Sequence, residues 1–322
     1  MSNNSKIVLG IDVAKLKLDV ALILPNKTLT KQFDNTSAGF KLLSKWLKSS
    51  DAFQVHACLE STGSYSQAVA HFLHENGHLV SMVNPFRVKG FAKSKMQRNK
   101  TDTADARLIA EFGLSQNPDQ WFPPAPAIAE LQAMTRRIET LEEMLQMERN
   151  RFDTAAEKTK PSIARMIKIF EQEIDNLRKS IKEHIDSHPD LKEQEQLLET
   201  IPGIGERTAH LLLAEIEFER YASARAVAAY AGVTPRKKQS GTSLNATNLS
   251  KMGNKRIRKG LYFPAIVATT HNRIVKEFAS RLEQNGKTPM QIVCASIRKL
   301  LHIAFGVLKH KTPFDPTLAF SS

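Results

Sequence analysis

Cysteine is scarce: Cys58 and Cys294 are the only two in 322 residues, each isolated in an apolar run. That excludes a disulfide framework and leads us to expect buried free thiols in a reducing compartment. A zinc site is not expected either, because the ten histidines show no His-Glu-x-x-His spacing and the cysteines are far apart. Residues 1–6 have no apolar signal core, and no apolar stretch approaches the roughly 20 residues that span a bilayer, so a cytoplasmic protein without a membrane partner is expected. Acid is missing from residues 220–276, which hold twelve Lys and Arg. No internal repeat or low-complexity tract is evident.

What is present is positive charge, +13 net from 46 Lys and Arg against 33 Asp and Glu, which attracts polyanions. Next to the acid-free block, residues 130–199 carry sixteen acids against twelve bases. This contrast separates a nucleic-acid surface from a structural helical segment. The length and the 41% apolar content allow two or three domains, each with its own core.

Residues 6–12, 16–24 and 28–33 read as a meander of three strands. A helix over 37–49 follows, then a strand over 54–59 that delivers Glu60, a helix over 65–76 and a strand over 78–83 ended by Asn84 and Pro85. This is the element order of a ribonuclease H-like α/β domain, here residues 1–122. Prolines 123, 124 and 126 mark its end. Apolar seams then run from Ile128 to Phe152 and from Ile163 to Ile185, with Pro161 interrupting them. Residues 127–190 are therefore expected to form a helical hairpin or an intermolecular coiled coil, either a linker bundle or a dimerisation element. Residues 195–322 read as a wholly helical third domain whose last strong helix covers 290–308.

Four carboxylates carry the chemistry. Asp12 and Glu60 fall at the ends of strands one and four. Asp102 and Asp105 lie in the run from Lys100 to Arg107, where helical spacing puts both on one face about a turn apart. Phosphoryl transfer at two divalent cations needs such a set, one cation on the attacking oxygen and one on the leaving oxygen. The opening Gly-Ile-Asp12 alone also fits the phosphate hairpin of sugar kinases, but no second glycine-rich phosphate loop follows. Arg87, Lys89, Lys93, Lys95, Arg98 and Lys100 would bring positive charge to a polyanionic substrate.

Residues 200–213 look like a helix-hairpin-helix element, in which Gly203 and Gly205 permit a tight turn that binds phosphate or merely packs. Inside the acid-free block, residues 232–243 mix Arg236, Lys237 and Lys238 with Ser240, Thr242 and Ser243. Hydroxyls there either contact phosphate or, with cationic help, attack phosphorus. Lys255, Arg256 and Arg107 are further candidates for nucleic-acid contact.

Taken in order, Gly-Ile-Asp12-Val-Ala-Lys, Leu-Glu60-Ser-Thr-Gly, Asn84-Pro, Asn99-Lys-Thr-Asp102-Thr-Ala-Asp105-Ala-Arg, Ile201-Pro-Gly-Ile-Gly and Thr234-Pro-Arg-Lys-Lys-Gln-Ser240-Gly resemble the DEDD transposases of bacterial insertion sequences, the bridge-RNA-guided recombinases. The resemblance covers nearly the whole chain and implies an N-terminal domain like the junction resolvase RuvC, a coiled-coil segment and a C-terminal transposase domain. It implies that Asp12, Glu60, Asp102 and Asp105 bind two Mg2+ ions and that Ser240 forms a covalent phosphoserine with DNA. It further implies donor and target DNA and a noncoding bridge RNA as partners in the bacterial cytosol and nucleoid. A homodimer would combine the carboxylates of one subunit with the serine of another and assemble into a homotetramer. Two other readings stay open: a hydrolytic RuvC-like metal nuclease, in which Ser240 only touches phosphate, and a non-catalytic nucleic-acid-binding scaffold.

Overall fold

The computed structural model describes residues 6–61, 63–96, 101–240, 244–250 and 252–317. It divides into two compact units, residues 1–124 and 125–322.

The first unit is built on a sheet with the order β3-β2-β1-β4-β5. Strands β1 (Val8–Val13), β2 (Lys17–Leu24) and β3 (Lys27–Asp34) form an antiparallel meander, while β4 (His56–Glu60) and β5 (Leu79–Val83) continue it in parallel from β1. Because β1 and β4 lie at the centre, both faces are covered and their sequences are apolar at nearly every position. One face packs Leu9, Ile11, Leu43, Leu59 and Leu73 beneath α1 (Ser37–Ser49) and α2 (Gln67–Glu75). The other packs Val8, Cys58, Ala106 and Ile109 beneath α3 (Pro85–Ser94) and α4 (Asp102–Gln116). The element order is the ribonuclease H-like one expected. Cys58 is buried and free, and burial pushes its thiol up to about 12; Cys294 is free and half-buried.

In the second unit, α5 (Pro126–Thr154) and α6 (Lys160–Asp186) form an antiparallel hairpin. Leu141 and Leu145 meet Ile174, and the pairs Glu142–Arg178 and Arg149–Glu171 bridge the two helices at 3.0 and 2.7 Å. The break falls at residues 155–159, and Pro161 sits in the first turn of α6, where its missing N–H is harmless. Then follow α7 (Pro189–Glu199), α8 (Glu206–Glu215), α9 (Ala224–Tyr230), β6 (Pro235–Ser240), β7 (Leu244–Leu249), α10 (Lys255–Gly260), α11 (Tyr262–His271), α12 (Arg273–Gln284) and α13 (Pro289–His310).

Two expectations need correction here. The C-terminal region is not wholly helical, since β6 and β7 pair as an antiparallel ribbon with Pro235 opposite Leu249 and Ser240 opposite Leu244. Strand β6 shows no alternation of apolar and polar residues and β7 only a short one, so pattern reading passes over the ribbon. Helix α13, at 22 residues, is also long and apolar enough to cross a membrane by length and composition. Its Leu300, Leu301 and Ala304 are fully buried in the core of the second unit.

Candidate active site

The parallel pairing of β1 with β4 sets Ile11 opposite Leu59, so the next residues, Asp12 and Glu60, emerge side by side at the C-terminal ends of the two central strands. Helix α4 is brought there by glycine. A Cβ at Gly10 would lie 2.3 Å from both the Ala106 carbonyl oxygen and the Ala110 nitrogen, and one at Gly113 would lie 2.4 Å from Cys58 Sγ. The helix thus runs back along β1 in close contact, and its first turn reaches the Asp12 end. Thr101 starts that turn, its hydroxyl accepting from the Ala104 N–H at 3.2 Å. Asp102 and Asp105 occupy the positive end of the helix dipole, where carboxylates are favoured.

Asp12 senses the other carboxylates. The carboxyl of Asp12 is pushed up to about 6, first by burial and then by the charges of Asp105, Asp102, Glu60 and Asp19. Asp19 is not among the residues that spacing in the sequence singles out. It lies directly opposite Asp12 in the β1–β2 ladder, is 7% exposed, and accepts from Gln32 Nε2 at 2.9 Å. Lys17 Nζ stands 3.0 Å from Asp19 Oδ2 and 2.5 Å from Asp102 Oδ2, and these bonds raise its own affinity for a proton. A tight β1–β2 turn would have predicted the Asp12–Asp19 pairing, but the sequence does not specify the register.

A half-buried carboxyl surrounded by four others fits a divalent metal. The donors are all oxygen, as hard cations require, and the crowding that raises Asp12 is relieved by positive charge. Another group with metal-like spacing, Glu195, Glu206 and His210, lies in the second unit. There the Glu195 oxygens already hold Lys192 Nζ at 2.7 Å and His210 Nε2 at 2.6 Å, so the buried carboxylate is satisfied without a metal ion.

The nucleic-acid candidates are dispersed. Lys100 and Arg98 lie outside the described residues, as do Thr242 and Ser243. Arg107 is exposed on α4. Two cations of the first unit are already engaged: Arg87 lies 5.3 Å from the centre of the Phe112 ring and Lys95 is ion-paired with Glu111. In the second unit, Gly203 has φ +104°, and a Cβ there would lie 2.8 Å from Ala268 Cβ, so the turn packs on α11. Gly205 precedes α8 with open space around it. Arg236 is exposed on β6; for Lys237, Lys238 and Ser240 the backbone alone is described, and Ser240 ends β6. Lys255 is exposed at the start of α10, whereas Arg256 Nε is held by Glu139 Oε2 at 2.8 Å. The fold therefore gathers the four acids within the first unit, while Ser240 belongs to the second.

The DEDD_Tnp_IS110 family, described as a transposase, matches residues 9–161, and the transposase IS116/IS110/IS902 family matches residues 195–280. The chain is 35% identical to a pilin gene-inverting protein of Moraxella bovis, over 97% of this chain and 98% of the relative. The pilin gene-inverting protein of Moraxella lacunata is 34% identical over the same shares. The transposase for insertion sequence element IS1328 of Yersinia enterocolitica is 28% identical over 78% of this chain and 84% of that one. Among solved structures, T. thermophilus RuvC in complex with Holliday junction substrate aligns with 33% of this chain and 90% of that one, at 16% identity and a TM-score of 0.25.

Proposed function

Because the chain belongs to the IS110 family of DEDD transposases, and is thus a DNA recombinase enzyme, we propose that it cuts and rejoins DNA through a covalent phosphoserine at Ser240. The observation that carries the reading is the convergence of Asp12, Glu60, Asp102 and Asp105 at one end of the β1–β4 pair, where burial first and the neighbouring carboxylates second push Asp12 up to about 6. Two Mg2+ ions bound there would supply charge neutralisation at the scissile phosphate. Asp12 and Glu60 would hold them from the strand ends, and Asp102 and Asp105 from α4.

Ser240 Oγ attacks phosphorus as the P–O3′ bond breaks, and its proton passes to the leaving 3′ oxygen. A 3′-hydroxyl from the partner strand then attacks the phosphoserine, restoring the phosphodiester and returning the serine its proton. Bond energy is conserved, so no nucleotide triphosphate is needed. The gene-inverting role named for the Moraxella relatives supports rejoining, because inversion requires broken ends to be resealed.

Arg107, Arg236, Lys237, Lys238, Lys255 and Arg256, with Lys100, would contact phosphates, and the turn at Gly203 and Gly205 would offer backbone amides to another. A noncoding bridge RNA would choose donor and target DNA by base pairing. The α5–α6 hairpin, within residues 127–190, would serve as a coiled-coil dimerisation element. The carboxylates of one copy and Ser240 of another would act on the same phosphate, in a homodimer assembling into a homotetramer in the bacterial cytosol.

The test is a denaturing gel of labelled donor and target DNA incubated with Mg2+, the RNA transcribed beside the gene, and wild-type, Ser240→Ala or Asp102→Ala protein. A protease-sensitive DNA adduct lost in both variants is the expected result. Cleavage persisting in Ser240→Ala without an adduct would make the enzyme a hydrolytic metal nuclease. DNA binding by wild type with no cleavage would make it a scaffold.

A further inference from the structure

The β6–β7 ribbon has two strands, too few to hold a fixed direction on its own. Ser240 stands at its far end, five residues beyond Pro235, or about 16 Å at the usual rise per residue. A tilt of about 10° at the base would move the tip by roughly 3 Å on that geometry. Whatever sets the base sets the tip.

The two feet of the ribbon are bound to each other and to α9 and α10. The Ser250 N–H donates to the Thr234 carbonyl at 3.0 Å, and the Asn254 N–H donates to that of Tyr230 at 2.7 Å. The backbones approach so closely that a Cβ at Gly253 would lie 2.3 Å from the Tyr230 oxygen and 2.5 Å from the Gly232 nitrogen; Gly232 itself has φ +70°. Arg258 spans both feet. Its Nη1 donates to the Ala231 carbonyl, just before β6, at 2.9 Å and to the Gly253 carbonyl, just after β7, at 3.0 Å; the Asn254 carbonyl lies at 3.3 Å. Beneath it, the buried carboxylate of Glu215 accepts from Asn254 Nδ2 at 2.6 Å and pairs with Arg136 Nε at 3.2 Å. Within the acid-free block the other described cations are exposed, whereas this half-buried guanidinium is directed at backbone carbonyls. Its desolvation weakens its hold on the proton.

We infer that Arg258 is a positioning residue for the covalent step, fixing the direction in which the β6–β7 ribbon presents Ser240 by joining the carbonyls at both of its feet. The inference rests on Ser240 being the nucleophile. Lysine is a poor replacement even though a single nitrogen, Nη1, makes both bonds, because its ammonium is a compact, strongly hydrated charge on a flexible stem and is harder to desolvate at these half-buried carbonyls than a guanidinium.

The experiment compares wild-type, Arg258→Lys, Arg258→Ala and Ser240→Ala full-length protein, each with labelled DNA, Mg2+ and the RNA. Single-turnover adduct formation at saturating DNA, DNA affinity by mobility shift, and Tm are measured. Both Arg258 variants should form adduct about 10- to 100-fold more slowly, the size of effect expected from misplacing a reacting atom by an ångström or so. Their DNA affinity should stay within about twofold, because the guanidinium makes no phosphate contact in this scheme. Methylguanidinium added to Arg258→Ala should restore part of the rate, and should do nothing for Ser240→Ala. If Arg258→Ala does not fold, Arg258→Lys supplies the comparison. Wild-type rates in the Arg258 variants, with the adduct lost in Ser240→Ala, would overturn this inference alone. Loss of affinity in step with rate would overturn it by making Arg258 a nucleic-acid contact. An adduct that survives Ser240→Ala would overturn the nucleophile and this inference together.

Discussion

Lys17 and Asp102 are joined across the acidic cluster, Nζ to Oδ2 at 2.5 Å, and the same ammonium reaches Asp19 at 3.0 Å. Lys17 thus supplies positive charge to the cluster when no cation is bound. Replacing it with methionine leaves two carboxylates without that charge beside Asp12. The Tm of Lys17→Met in EDTA should fall below wild type, and the rise in Tm on adding Mg2+ should be larger than in wild type. An identical Mg2+ shift in the two proteins would rule out this role for Lys17.

Asp12 makes the cluster sensitive to pH. Its carboxyl is pushed up to about 6 from an ordinary value near 3.8, so the folded protein holds this proton more tightly than the unfolded chain. The contribution to stability is therefore present in acid and is lost as pH rises from the ordinary carboxylate range through about 6. Asp12→Asn lacks the titration. In EDTA, the Tm of Asp12→Asn minus that of wild type should grow between those limits and level off above them. A difference that is flat with pH would mean that neither burial nor the neighbouring carboxylates oppose the ionisation of Asp12.

Gly10 lets α4 lie against β1. Alanine there would place a Cβ 2.3 Å from backbone atoms of Ala106 and Ala110, so the helix must move away and carry Asp102 and Asp105 with it. Overpacking of this kind typically costs about 1–3 kcal/mol. Gly10→Ala should therefore lower stability by that amount and weaken Mg2+ binding measured by calorimetry. Gly90→Ala, inside α3 with open space at its Cβ, is the control that should leave Mg2+ binding unchanged and raise stability slightly, by about 0.5–1 kcal/mol.

The sheet and the four acids were legible in the sequence because β1 and β4 are buried on both faces, leaving an acid at the end of an apolar run as a clear signal. Helix α4 was legible too, through the spacing from Asp102 to Asp105. Asp19 and Lys17 were missed because ladder register depends on the β1–β2 turn rather than on composition. The β6–β7 ribbon was missed because Arg236, Lys237 and Lys238 follow one another with no apolar alternation to mark a strand. Arg258 escaped for a different reason. Among so many cations, sequence cannot distinguish one turned toward backbone carbonyls from those left to solvent.

Arg256 shows the same ambiguity from the other side. It reads as a phosphate contact, yet Glu139 on α5 holds it at 2.8 Å, and Lys259 is shared between Glu139 at 3.3 Å and Glu143 at 3.0 Å. The side-chain bond from Lys259 holds the Glu143 carboxyl below its usual range. If α10 meets DNA, phosphates must displace these acids, so the acidic face of α5 competes with the duplex for the same cations. Glu139→Gln with Glu143→Gln should then bind nonspecific duplex more tightly at low salt. The slope of log affinity against log salt should steepen by about 0.9 for each additional phosphate neutralised. Tm should change little, since exposed pairs add little to stability. Affinity and slope equal to wild type would mean that α10 stays on α5 when DNA binds, and that Arg256 acts within the protein and not on the nucleic acid.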